Sequence, residues 1–283
     1  MPLRAACLQL RLAPTLSQAE TRALDLAREA RERGAELALL PEYWFVPAGA
    51  QPLEALPREL DGARDAVQRV SAATGLCLAG NAPERADGAL WNTLFVFDAG
   101  RLVGQQRKLH PMPREELWGI AAARDLAVFE GRGARLGGLV CADVLHPEAA
   151  RILALHGAEV VLNPVMSWLK PNDKTKDARR AMFVARAYDN ACFVLKAGSV
   201  GATGGPNPLV GRSLITAPWG VVAEAKDELG EEVLVADLDL ARVREERRRS
   251  LSLGRRHPEA YGPLVEPRTA PASGQAPPHD FDV

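Results

Sequence analysis

The stretch Arg135-Leu-Gly-Gly-Leu-Val-Cys141-Ala-Asp-Val-Leu-His-Pro-Glu148 decides the reading of this chain. Its first half is apolar and glycine-rich, the pattern of a strand buried on both faces. Its second half leads into Ala149-Ala-Arg-Ile-Leu-Ala-Leu155, whose apolar spacing is that of a helix. Strand, sharp turn and helix put the Cys141 thiol out of the end of a sheet, close to a helix N-terminus. Unpaired N–H groups and the helix dipole at such a place favour thiolate over thiol. The thiolate is the nucleophilic form, so the position suits covalent catalysis. Cys7, Cys77 and Cys192 sit inside apolar strand-like runs and read as inert packing residues.

Working outward, strand-like and helix-like segments alternate. Arg4–Leu10, Ala35–Leu40 and Leu76–Gly80 read as strands, with helices over Ser17–Arg33 and Leu60–Thr74. Ser17 is the expected cap of the first helix and Gly34 its stop. A hairpin is expected from Trp91–Asp98 and Arg101–Gln106 around Ala99-Gly100. Val160–Asn163 and Cys192–Lys196 read as further strands on either side of a helix over Ala178–Asp189, and three short strands follow Ser213. This alternation argues an α/β protein, and the hairpins argue mixed sheets. Residues 1–265 read as one domain, and 266–283, rich in Pro, Ala, Ser and Gly, as a flexible tail.

Bulk properties exclude several classes. The net charge is −1, so no overall field draws the chain to nucleic acid or an acidic membrane. The Arg-rich stretch Arg242–Arg256 is interleaved with Glu245 and Glu246 and reads as a solvated helix face. No apolar run approaches the roughly 20 residues of a membrane span. Four scattered cysteines form no disulfide framework, so a cytoplasmic location is expected. The five histidines show no ligand spacing, and neither a metal nor another cofactor is expected. His110 or His146 beside Cys141 is the rival arrangement, a Cys–His pair.

Two more residues end strand-like runs. Glu42, in Leu39-Leu-Pro-Glu42-Tyr-Trp-Phe, is placed for partial desolvation, which raises a carboxyl towards general-base range. Lys108, in Gln105-Gln-Arg-Lys108-Leu-His-Pro, can aim a fixed charge at a developing oxyanion. Glu115 and Glu116 follow, and Glu116 is the preferred orienting residue. Chain order places Glu42, Lys108 and Cys141 at one edge of one sheet. Tyr43, Trp44, Trp118, Met166 and Trp168 read as pocket walls, equally well as core. Asn163, at a strand end, reads as a substrate contact or a brace for its turn.

These residues make the chain resemble the carbon–nitrogen hydrolase family, or nitrilase superfamily, over about residues 3–265. The motifs are Leu40-Pro-Glu42, Arg107-Lys108-Leu-His, Cys141-Ala-Asp143 with Pro147-Glu148, Arg186-Ala-Tyr-Asp-Asn190, Gly211-Arg-Ser213-Leu-Ile-Thr-Ala-Pro-Trp-Gly220 and Arg255-Arg-His-Pro-Glu-Ala-Tyr261. The resemblance implies a four-layer α-β-β-α sandwich, a Glu42–Lys108–Cys141 triad and a homodimer or higher homo-oligomer. It implies a small-molecule substrate with an amide or N-carbamoyl bond, cleaved through a thioester on Cys141, with the Ala142 N–H as an oxyanion donor. Nitrile hydrolysis, acyl transfer to an amine and a non-catalytic scaffold of the same fold stay open. Asp143 fits amidase-like branches better than nitrilases, where Trp-Glu often follows the cysteine. Many members carry arginine four residues after the nucleophile, where this chain has Leu145.

Overall fold

Strand β1 (Leu3–Gln9) pairs in parallel with β2 (Leu37–Leu39), which pairs in parallel with β3 (Cys77–Ala86). Strands β1 and β2 and the first half of β3, Cys77–Gly80, are near-continuously apolar, and both of their faces are covered. The structure, a computed structural model, describes residues 2–49, 62–170 and 172–266. The tail from 267 onward, and the first residues of the helix expected from Leu60, lie outside the described residues. Strands β4 (Ala89–Asp98) and β5 (Arg101–Arg107) continue the first sheet antiparallel, and β12 (Glu232–Leu238) closes its other edge against β1.

The second sheet repeats this pairing pattern. Its order is β11 (Gly220–Glu224), β10 (Leu214–Ala217), β9 (Phe193–Gly198), β8 (Val160–Val165), β7 (Ala134–Gly138) and β6 (Val128–Gly131). The strands β7, β8 and β9 run parallel, and the edges are antiparallel. Leu37, Leu39, Leu94 and Val96 of one sheet pack with Leu136, Leu162, Phe193 and Leu195 of the other in a single buried layer. Fully burying each such side chain contributes about 1.5–3 kcal/mol.

Helices cover the outer faces. Helix α1 (Leu16–Glu32) and α2 (Ala63–Thr74) bury Ala19, Ala23, Ala27, Ala66 and Val67 against the first sheet. After the short α3 (Pro113–Leu117), helices α4 (Pro147–Leu155) and α5 (Lys176–Asn190) bury Ala149, Leu153, Phe183 and Ala187 against the second. The Arg-rich segment forms α6 (Leu240–Arg249) and the single turn α7 (Leu251–Gly254). The result is the expected four-layer α-β-β-α sandwich.

Two local expectations are corrected. Thr15, not Ser17, caps α1 and accepts from the Gln18 N–H at 3.3 Å. Strand β3 runs on well beyond Gly80 and turns at Asp87-Gly88, both at positive φ, into a β4 that begins at Ala89. Positive φ at both central residues is the two-residue hairpin turn that follows the twist of its strands. This long hairpin carries Asn81 and Asn92 into the site described next.

Candidate active site

Glu42 follows β2 and Lys108 follows β5, so both come from the first sheet, whereas Cys141 follows β7 in the second. The three meet between the sheets' ends rather than along one sheet's edge. Lys108 Nζ lies 2.9 Å from Glu42 Oε1 and 2.7 Å from Glu115 Oε2. The Cys141 thiol adjoins the Glu42 carboxyl and donates to the Met166 carbonyl oxygen at 4.0 Å. None of the four side-chain-bearing residues is more than 3% exposed.

Glu115, not Glu116, is the glutamate brought against Lys108. Glu116 is exposed, whereas Glu115 is buried. Pro113 opens α3, which makes Glu115 the third residue of the helix; its Oε2 accepts from the Met112 N–H at 2.8 Å. A glutamate there folds back over the helix start, in the manner of a capping box. That turn aims it at Lys108. The signal was present in Met112-Pro-Arg-Glu115.

Asn92 joins both acids. Its Nδ2 lies 3.0 Å from Glu42 Oε1, 2.9 Å from Glu115 Oε1 and 3.0 Å from the Tyr43 hydroxyl. Its Oδ1 accepts from Asn81 Nδ2 at 2.8 Å, and Asn81 Oδ1 accepts from the Tyr43 N–H at 2.8 Å. The Tyr43 hydroxyl donates to Glu115 Oε1 at 2.5 Å. Neither asparagine stands out in the sequence; only the unrecognised β3–β4 hairpin brings them together.

The turn holding Cys141 is built by Asp143. Cys141 has φ 48°, a left-handed conformation rare outside glycine, and opens a 3-10 turn over Cys141–Leu145. Asp143, fully buried, accepts from the N–H groups of Val140 at 3.0 Å and His110 at 2.8 Å. Leu109 N–H donates to it as well, so one carboxylate ties the nucleophile's turn to the lysine's loop. Strain of this kind persists where surrounding bonds over-determine it.

Protonation follows from burial and charge. Burial, and then Glu115, push the Glu42 carboxyl up, against the pull of Lys108. Glu115 is buried too, but Lys108 and the Tyr43 hydrogen bond outweigh that and hold it below its ordinary value. Burial works against the Lys108 charge, yet the two carboxylates hold its pKa well above the usual lysine range. Glu115 therefore balances Lys108, and Glu42 is the carboxyl whose pKa is raised. The resting-thiolate expectation is corrected: burial, and then Glu42, push the Cys141 thiol well up. A short 3-10 turn does not offset that loss of water, so the protonated thiol is the favoured form.

The histidines are occupied elsewhere. His110 Nδ1 pairs with Asp143 Oδ1 at 2.9 Å, and His146 stacks on its ring at 3.6 Å. Among the described residues neither ring is bonded to Cys141, and no cluster of His, Cys, Asp and Glu has metal-holding geometry.

The expected walls divide. Trp118 packs edge-on against Tyr43, and its buried indole N–H has no partner among the described residues. Trp168 is half-buried and donates to Thr203 Oγ1 at 3.2 Å; Arg114 lies over its ring. Met166 is buried with its carbonyl against the thiol. Trp44 is no wall: it is wholly buried in the core under the first sheet and donates to the Asn81 carbonyl. Asn163 braces the turn, donating to the carbonyls of Leu139 and Cys141, the latter at 3.2 Å.

A sequence profile of the carbon-nitrogen hydrolase family matches residues 4–248. The chain belongs to the carbon-nitrogen hydrolase family. Among its carbon-nitrogen hydrolase relatives is a nitrilase of Pyrococcus abyssi, 31% identical over 80% of this chain and 86% of the relative. Another is the omega-amidase NIT2 of Bos taurus, 28% identical over 91% and 96%. A glutamate-to-glutamine mutant of the amidase from Nesterenkonia sp. AN1 superimposes with a TM-score of 0.73 at 26% identity, covering 88% of this chain and 95% of its own. That structure shows covalent addition of the acetamide moiety of fluoroacetamide at the active site cysteine. Among the described residues no helix is long and apolar enough to cross a membrane.

Proposed function

We propose that this carbon-nitrogen hydrolase cleaves a small-molecule amide through a thioester on Cys141. The observation that carries the reading is the contact of Glu42 with both the Cys141 thiol and the Lys108 ammonium in a buried site. Glu42 takes the thiol proton as the sulfur attacks the amide carbonyl, so charge passes from carboxylate to sulfur and then to the carbonyl oxygen. Lys108 and the Ala142 N–H stabilise that oxyanion, a contribution of several kcal/mol when the donors are preorganised. Protonated Glu42 gives its proton to the leaving nitrogen as the C–N bond breaks. Ionised again, it takes a proton from water, which attacks the thioester and frees the carboxylic acid and the thiol. A carboxyl that alternates between base and acid works best with a raised pKa.

Glu115 balances Lys108 throughout, while Tyr43 and Asn92 hold Glu115 and Glu42 in place. Trp118, Met166 and Trp168 surround the acyl group. Two features favour amide over nitrile: Asp143 after the nucleophile's neighbour, and the amide-derived adduct carried by the Nesterenkonia relative's cysteine. A homodimer or higher homo-oligomer is supported by the exposed Tyr188, Trp219 and Leu251, which line one shallow depression. The test is ammonia release from a panel of aliphatic amides, N-carbamoyl compounds and nitriles, with Cys141→Ala beside the parent. Release by the parent alone, fastest from an amide, supports the reading. A preference for nitriles, or equal release by both proteins, rejects it.

A further inference from the structure

A cavity of about 520 Å3 lies between helix α5 and the second sheet, outside the Glu42–Lys108–Cys141 cluster. That size is ordinary for a small-ligand site. Its depth is apolar, lined by Val144, Val165, Met182, Phe183, Val210 and Leu214. Lys196 enters it from β9, on the face that alternates with the inter-sheet residues Leu195 and Ala197.

Lys196 is only 8% exposed. Its ammonium donates to the carbonyls of Gly211 at 3.1 Å and Arg212 at 2.9 Å. The close approach that makes this possible needs glycine at 198, where a Cβ would stand 2.0 Å from the Gly211 carbonyl oxygen. Two carbonyls leave one ammonium N–H over; the Phe183 ring lies 5.8 Å from the nitrogen, and among the described residues no carboxylate pairs with it. A buried charge left without a counter-ion is expensive.

The surroundings do not supply one. Six cationic side chains line the cavity, Lys176, Arg179, Arg180, Lys196, Arg212 and Lys226, against Glu224, Asp227 and Glu228. Adding Asp173, which pairs with Arg179 and Arg212, leaves six positive charges against four negative. Glu228 is engaged with Lys176 and Arg212 and Glu224 with Arg180, and Asp227 is exposed and accepts from the Leu229 N–H. We propose that this cavity binds a small organic monocarboxylate, its carboxylate pairing with the Lys196 ammonium and its apolar body lying against Met182, Phe183 and Leu214.

The protonation of Lys196 gives the site a signature. Burial, and then Arg212, lower its pKa to about 7, with Arg179 adding to the effect and Cys7 and Cys141 opposing it. A bound carboxylate favours the charged form, so binding takes up protons near neutrality. Affinity is highest below about pH 7 and falls as pH rises through that value.

The experiment is titration calorimetry of the parent and Lys196→Met with benzoate and with hexanoate, at about pH 6 and about pH 9. The parent binds at least one of the acids saturably at the lower pH and at least about tenfold more weakly at the higher. Lys196→Met, which keeps the length and removes the charge, loses the binding. Should that variant not fold, Met182→Trp fills the same cavity from α5 and abolishes binding instead. The proposal is overturned if neither acid binds saturably. It is equally overturned if binding survives both substitutions, or if alkylating Cys141 removes it, which places the acid in the catalytic pocket.

Discussion

Asn92 Nδ2 stands 3.0 Å from Glu42 Oε1 and 2.9 Å from Glu115 Oε1, so one neutral amide holds the two acids of the site together. Lys108 holds the same pair from its own side. Two carboxylates this close, around one ammonium, differ by environment: the better-bonded Glu115 holds its charge more firmly, and Glu42 takes up a proton more readily.

Asn92→Ala removes a donor to both acids. A hydrogen bond to a charged group contributes about 1.5–3 kcal/mol, so kcat/KM falls about 10–100-fold. Circular dichroism of the variant matches the parent, because β4 keeps its backbone bonds. An Asn92→Ala enzyme with parental kcat/KM removes the amide from the account.

Glu115→Gln takes away the counter-ion of a buried lysine. Breaking such a pair costs about 3–5 kcal/mol, so activity falls by at least about a hundredfold. Glu116→Gln, on an exposed residue, stays within about twofold of the parent, as surface substitutions do. The reverse ranking in steady-state assays restores Glu116 as the second glutamate.

The acid limb of kcat/KM reports Glu42. Glu42 must be ionised to take the thiol proton, and burial raises its pKa above 4.5. The rate therefore rises with pH through a midpoint above 4.5, a value that belongs to the coupled Glu42–Glu115 pair. Glu115 is one of the groups raising Glu42, so in the residual activity of Glu115→Gln the midpoint moves to lower pH. A pH–rate profile of the two proteins checks the sign.

Asp143→Ala orphans the backbone N–H groups of Val140, Leu109 and His110 at once. The Val140 donor is buried and costs about 1–3 kcal/mol when unpaired, while those of Leu109 and His110 are partly buried and cost less. Scanning calorimetry shows a Tm lower by several degrees, and activity is lost with the geometry of the Cys141 turn. Asp143→Asn, which keeps an acceptor oxygen, loses less of both.

Much of the sandwich was legible because its central strands are buried on both faces and read as unbroken apolar runs, as in Leu136–Val140 and Val160–Leu162. The β3–β4 hairpin was not, since Pro83, Glu84 and Arg85 interrupt the apolar pattern and suggest a loop. Asp87-Gly88 was the overlooked turn signal, and missing it hid the Asn81–Asn92 pair. Glu42, Lys108 and Cys141 stood out because each ends a strand, yet the sequence did not say that two sheets contribute them. The thiolate expectation failed because position near a helix start is visible in sequence whereas burial of the sulfur is not. Trp44 stayed open between wall and core for the same reason: its neighbours mark a site, while its own ring lies wholly in the core.

The central claim is that Cys141 is acylated during turnover. Intact-protein mass spectrometry of the parent, quenched during turnover of the best amide of the panel, tests it directly. The account predicts a transient mass increase equal to the acyl group, mapped to Cys141, absent from Cys141→Ala and gone once the amide is consumed. An adduct on another residue, or steady turnover by Cys141→Ala, contradicts it.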